Sequence, residues 1–182
     1  MPATVAAQWR PGEPSCHDHP VAAQAVTPDD VDVSMVFYRE EGQWNVAALP
    51  ARGSTTMEGV LDAVRRFPGE GGVMGAVAVG DEFFVIVREA GQGRRLMLSD
   101  GASTLDWSLA DEAAVMLGLD EDEPEEYEPI GDLGLLEDFG VSADDIVAIC
   151  QNEDLYPDEQ LSAIASRLGC ADQWQTALDD AR

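Results

Sequence analysis

VMGAVAVGDEFFVIVR, residues 73–88, is the stretch on which the fold turns. Val73 to Val79 and Glu82 to Arg88 are nearly continuous apolar runs, rich in β-branched and aromatic side chains, around the turn Gly80-Asp81. Short apolar runs bounded by turn residues read as strands covered on both faces, hence as the centre of a sheet.

Upstream, Val33 to Tyr38 and Trp44 to Leu49 flank Glu40-Glu41-Gly42-Gln43, the pattern of a hairpin that Pro50 ends. Thr55 then opens a capping box with Glu58. Met57, Val60, Leu61, Val64 and Phe67 follow at helical spacing, and Pro68-Gly69 stops that helix. Downstream, Gly91-Gln92-Gly93 is a turn into a strand over Arg95 to Ser99, and Ser108 caps a helix that runs to Leu117 and Gly118. The order is ββαβββα. Short connections make the sheet antiparallel, so the fold class is α+β: about five strands with flanking helices, followed by a small C-terminal helical module. That order resembles roadblock-like and profilin-like domains, an analogy of architecture that gives no function.

The chain divides into four expected parts. Residues 1–30, rich in Ala and Pro with no sustained apolar period, read as a disordered tail. Residues 31–118 form the sheet domain. Residues 119–131 contain DEDEPEEYE, seven acids in nine residues, and read as an extended, self-repelling linker. Residues 132–182 are helical. There Asp132 caps a short helix stopped by Gly140, and Ser142 with Asp145 opens a second. Pro157 begins a third that ends at Gly169, and Asp172 caps a last one bearing Trp174, Ala177 and Leu178. Helices this short must pack on each other or on the sheet.

Composition excludes most chemistry. All ten cationic side chains are arginines, against 36 Asp+Glu, and the only histidines are His17 and His19 in the tail. Without Lys there is no Schiff-base nucleophile and no P-loop clamp. Without His in the folded part there is no Ser-His or Cys-His pair and no ordinary zinc site. The net charge of -26 repels phosphate, so neither direct nucleic-acid binding nor an anionic membrane surface is expected. Residues 1–110 hold 15 acids and 8 arginines, whereas residues 111–182 hold 21 acids and 2 arginines. The acidic face is therefore chiefly C-terminal. It either keeps the protein soluble or docks on a basic partner.

Several patterns imitate sites. Cys16-His17-Asp18-His19 offers four adjacent ligands, which cannot close a tetrahedral site unaided. Cys16, Cys150 and Cys170 are an odd number at long spacings, which argues against disulfides, and Cys150 falls on an apolar helical stripe. Glu70-Gly71-Gly72 is glycine-rich but precedes a strand, so no helix N-terminus faces an anion. Arg65-Arg66 in a last helical turn compensates the dipole or, alternatively, faces an anion. Asp144-Asp145 and Asp158-Glu159 sit at helix starts, where carboxylates stabilise the dipole. No metal or other cofactor is expected, although a magnesium site at Asp100 or Asp106 is an alternative. With no apolar run long enough to span a bilayer and no signal peptide pattern, a cytoplasmic location is the expectation.

Three segments carry a resemblance: RRFPGEGGVMGAVAVGDEFFVIVR, LMLSDGASTLDW and DLYPDEQLSAIASRLGCADQW. Over about Val31 to Ala177 the chain resembles the bacterial tRNA adenosine deaminase-associated protein family. The resemblance implies a companion of the deaminase and supplies no catalytic residues. A nucleobase deaminase needs H-x-E with P-C-x-x-C, and neither pattern exists in the sequence. The expectation is a non-enzymatic acidic accessory protein whose partner is the tRNA adenosine deaminase. A stand-alone ligand-sensing or housekeeping domain is the alternative, and a metal-dependent carboxylate enzyme the third reading. The partner-surface candidates are Leu155, Tyr156, Pro157 and Asp158, an apolar and aromatic pair beside acids at a helix start. The plainer reading is that Leu155 and Tyr156 staple that helix to its neighbours.

Overall fold

The computed structural model describes residues 22–91, 93–119 and 127–181. The expected run Cys16 to His19 and most of the acidic stretch lie outside them. The described chain is α+β, built on one antiparallel sheet of order β2-β1-β3-β4-β5-β6. The strands are β1 (Val31–Glu40), β2 (Gln43–Ala48), β3 (Val73–Val79), β4 (Phe83–Ala90), β5 (Gly93–Leu98) and β6 (Ile130–Gly131). The helices are α1 (Met57–Val64), α2 (Ser108–Leu117), α3 (Ala143–Cys150), α4 (Pro157–Leu168) and α5 (Ala171–Ala181).

The stretch 73–88 is the centre of the sheet, as its composition requires. Every residue of β3 is buried, and so are the first six of β4. Their side chains alternate between two cores. Met74, Ala76, Ala78, Phe84 and Ile86 face one core, completed by Leu135, Leu136, Ile146, Leu161, Ile164 and Trp174. Val77, Val79, Phe83, Val85 and Val87 face the other, completed by α1 and α2 through Val60, Leu61, Leu109 and Ala113. The C-terminal helices are thus a third layer on the sheet. Trp174 stacks on Phe37 of β1 with ring centroids 5.6 Å apart.

The β1–β2 hairpin turns at Glu41 and Gly42, both at positive φ (51° and 77°). Two successive left-handed residues match the twist of the flanking strands, which is why glycine stands there.

Several boundaries differ from the sequence reading. The five expected strands are joined by a short sixth, because Ile130–Gly131 from the linker region pairs with Met97 and Leu98. Two residues carry no period to read. Packing also starts upstream of Val31: Gln24 bridges to Trp107, and Val26 is 7% exposed in the second core. The Gln24 amide donates to the Asp106 carbonyl at 2.6 Å, and the Ser108 amide to the Gln24 carbonyl at 2.8 Å. Ser108 consequently does not cap α2. Trp107 takes that position, and the Ser108 hydroxyl accepts from the Val26 amide at 3.3 Å. The cap of α1 is Thr56 rather than Thr55, its hydroxyl accepting from the Gly59 amide. The expected helix after Asp132 is a series of turns and a 3-10 segment over Glu137–Phe139, since Asp132 binds Arg95 instead of capping. The Ser142–Asp145 capping box and the start of α4 at Pro157 are as read.

Candidate partner-binding surfaces

The chain from Leu155 to Asp158 enters α4. Pro157 occupies the first turn and is buried; Leu155 is half-buried. Both therefore serve packing. Tyr156 is 58% exposed and Asp158 is exposed. The Glu159 carboxylate accepts from the Tyr156 amide at 3.0 Å, which fixes the helix entry and leaves the phenol outside. Of the four candidates, two face solvent.

Asp158 has acidic company from distant parts of the chain. Asp32, near the start of β1, has its carboxyl pushed above the usual range, first by partial burial and then by the charges of Asp158 and Asp81. Asp81 lies in the β3–β4 turn. Carboxylates from the β3–β4 turn and from α4 thus each lie within electrostatic reach of Asp32 in β1. A positive charge placed among them would stabilise Asp32 as a carboxylate.

The other side of the sheet carries an apolar surface that the sequence reading missed. A groove of about 500 Å³ lies between α1 and α2, with Met57, Leu61, Val115 and Met116 in its lining. Val115 is 71% exposed, Met116 37% and Leu119, just beyond the helix, 48%. The sequence signal was the surplus: Ala113 to Leu117 is apolar at every position, more than one packed face needs.

A larger cleft, about 740 Å³, opens beside the glycine-rich loop and is lined in part by Gly71, Gly72, Arg65, Arg88, Arg95 and Asp138. Its cations are engaged. Arg88 is 4% exposed; its Nη1 donates to the Leu135 carbonyl at 2.7 Å, its Nη2 to the Gly71 carbonyl at 2.5 Å, and both to the Asp138 carboxylate. Its guanidinium also lies over Phe139, 4.3 Å from the ring centre. The glycine loop presents a carbonyl to an arginine, the opposite polarity from a phosphate cradle. Gly72, at φ 109°, is required because a Cβ there would meet the Glu89 carbonyl oxygen at 2.8 Å. Arg95 binds Asp132 at 2.5 Å, and Arg65 binds Asp62 and Glu89 at 3.3 Å. These arginines hold layers together. The motif carrying FPGEGG thus belongs to the architecture, as does Ser99, whose hydroxyl accepts from the Phe84 amide at 2.8 Å.

Burial pushes the Cys150 thiol up to about 12 and the Cys170 thiol up to about 11, so neither is a nucleophile at neutral pH. Among the described residues no group of three or more His, Cys, Asp or Glu is placed to hold a metal ion. No helix of the described chain is long and apolar enough to cross a membrane.

Comparison with known proteins agrees with the resemblance carried by the three segments. The profile of the Rv3753c-like tRNA adenosine deaminase-associated protein family matches residues 32–171. Protein Rv3753c of Mycobacterium tuberculosis (strain ATCC 25618 / H37Rv) is 40% identical over 159 residues, which is 85% of this chain and 91% of that protein. No solved structure matches the chain at a significant level. The match runs from the second residue of β1 through β6 to the start of α5, so the chain belongs to the Rv3753c-like tRNA adenosine deaminase-associated protein family.

Proposed function

We propose that this protein is a non-enzymatic acidic accessory subunit of a tRNA adenosine deaminase and binds that enzyme through its carboxylate-rich surface. The observation that carries the reading is that the charges of Asp158 and Asp81 both reach Asp32, with the exposed Tyr156 two residues before Asp158. An aromatic anchor with an acidic rim suits a cationic protein surface. A tRNA-binding enzyme must present such a surface, because phosphate contacts dominate nucleic-acid affinity. The net charge of -26 steers the two proteins together and makes the complex salt-sensitive. The family description, deaminase-associated, supports the choice of partner. The absence of a deaminase motif anywhere in the sequence supports a companion role.

The test is a titration of purified deaminase with wild type and with Tyr156→Ala, each at low and high salt. The expected result is binding that weakens as salt rises and weakens about tenfold or more in the variant, the size of one interfacial anchor. No binding by the wild type would refute the proposal.

A further inference from the structure

We infer that the groove between α1 and α2 is a docking site for a cationic amphipathic helix of a protein partner. The inference rests on the reading of this protein as a binder of a basic protein.

The argument starts from what α2 does not bury. Leu109, Ala110 and Ala113 satisfy its packing against the sheet. Val115 and Met116 are left exposed on α2, and Leu119 is exposed just past its left-handed end at Gly118. Met57 and Leu61 of α1 are buried, 1% and 5% exposed, and lie in the groove's lining. They form the groove's floor, and the apolar surface that no other part of the described chain covers is that of Val115 and Met116.

Its spare charge is negative. Glu58, Asp62, Asp111 and Glu112 line it against Arg65 and Arg94. Both arginines are already engaged, Arg65 with Asp62 and Glu89 and Arg94 with Glu89 at 3.0 Å. Glu112 accepts from the Met57 amide at 2.7 Å, which pins α2 to the start of α1. Glu58 and Asp111 make no ion pair or side-chain hydrogen bond among the described residues. What the groove lacks is two cations flanking an apolar strip. With α1 of eight and α2 of ten residues, the groove matches roughly two to three turns of a helix at ~1.5 Å rise per residue. The fitting occupant presents two or three aliphatic side chains on one face, with Arg or Lys beside them to meet Glu58 and Asp111. A second copy of this chain is disfavoured by its own net charge of -26, and a nucleic acid for the same reason.

The experiment uses the full chain and two probes: purified tRNA adenosine deaminase, and a synthetic 12-residue Leu/Arg amphipathic peptide helix. The variants are Val115→Ser with Met116→Ser, Glu58→Gln with Asp111→Asn, and Tyr156→Ala, each checked for an unchanged melting temperature. The inference expects both groove variants to weaken the peptide at least tenfold, the carboxamide pair also to flatten the salt dependence, and Tyr156→Ala to leave the peptide unaffected. Peptide binding that is absent, or indifferent to both groove variants, overturns it. Self-association of the wild type that Val115→Ser with Met116→Ser abolishes also overturns it, in favour of a homodimer face. A deaminase that binds and is weakened by Tyr156→Ala alone overturns the groove and leaves the accessory role standing. A deaminase that does not bind, while the peptide binds in the groove, removes the accessory role and keeps the groove.

Discussion

Arg88 and Asp138 meet through two hydrogen bonds of 2.6 Å across 50 residues of sequence, and this pair ties the C-terminal layer to the centre of the sheet. The guanidinium is buried and the carboxylate half-exposed. Replacing Arg88 with Met would leave Asp138 to water but strand the carbonyls of Leu135 and Gly71. The expected loss is about 2–3 kcal/mol, from two unsatisfied acceptors and a lost charge-assisted pair. Thermal unfolding should fall by roughly 5–10 °C at this chain length. An unchanged melting temperature would mean that the pair contributes nothing net.

The same pair sets a pH dependence. The hydrogen bonds from Arg88 hold the Asp138 carboxyl below the ordinary aspartate value of 3.8. A depressed folded-state value means that the folded protein binds fewer protons than the unfolded one. The contribution is therefore complete above about pH 4 and is lost as pH falls through the lowered value. Asp138→Asn should destabilise the protein near neutrality and narrow its difference from wild type as the medium is acidified below pH 4. Parallel urea titrations at pH 3 and pH 7 read this directly; an equal gap at both would contradict it.

Cys150 and Cys170 should resist thiol reagents in the native protein. Burial pushes them up to about 12 and about 11, so almost no thiolate exists at pH 8. In a Cys16→Ser background, a colorimetric thiol reagent should label neither residue until denaturant is added, and then both. Rapid labelling of Cys150 without denaturant would show that the α3–α4 region opens readily.

Gly59→Ala should destabilise, against helix propensity. Alanine in a helix gains up to ~1 kcal/mol over glycine. Here the new Cβ would meet the Gly53 carbonyl oxygen at 2.3 Å and its carbon at 3.1 Å. Backbone cannot rotate aside as a side chain can, so the preceding turn must move, at a cost of about 1–3 kcal/mol. A melting temperature at or above wild type would show that this turn yields freely.

Removing residues 1–21 should cost little, since their sequence carries no sustained apolar period with which to pack. Removing residues 1–28 deletes the Gln24 bridge and the Val26 side chain, and should cost about 2–3 kcal/mol by lost burial and hydrogen bonding. The two truncations should separate clearly in a thermal melt. Coincident curves would mean that the Gln24–Trp107 contact is not maintained in solution.

The central hairpin of the sheet, the α+β class, the cap at Ser142, the start of α4 at Pro157 and the core role of Cys150 were legible in the sequence, because each depends chiefly on residues within one or two turns of chain. Period and capping are local. So is the lack of lysine, which leaves no residue to form a lysine Schiff base or a P-loop clamp. Tertiary structure decided the rest. Whether Arg88 is a free cation or a buried tie depends on Asp138 and Leu135, far along the chain. Whether Tyr156 or Leu155 faces water depends on how α4 lies against the sheet, and the local sequence allows either. The α1–α2 groove exists because two helices that pack on the same sheet face leave Val115 and Met116 uncovered. No spacing within either helix encodes that, because burial is a property of neighbours brought together by the fold.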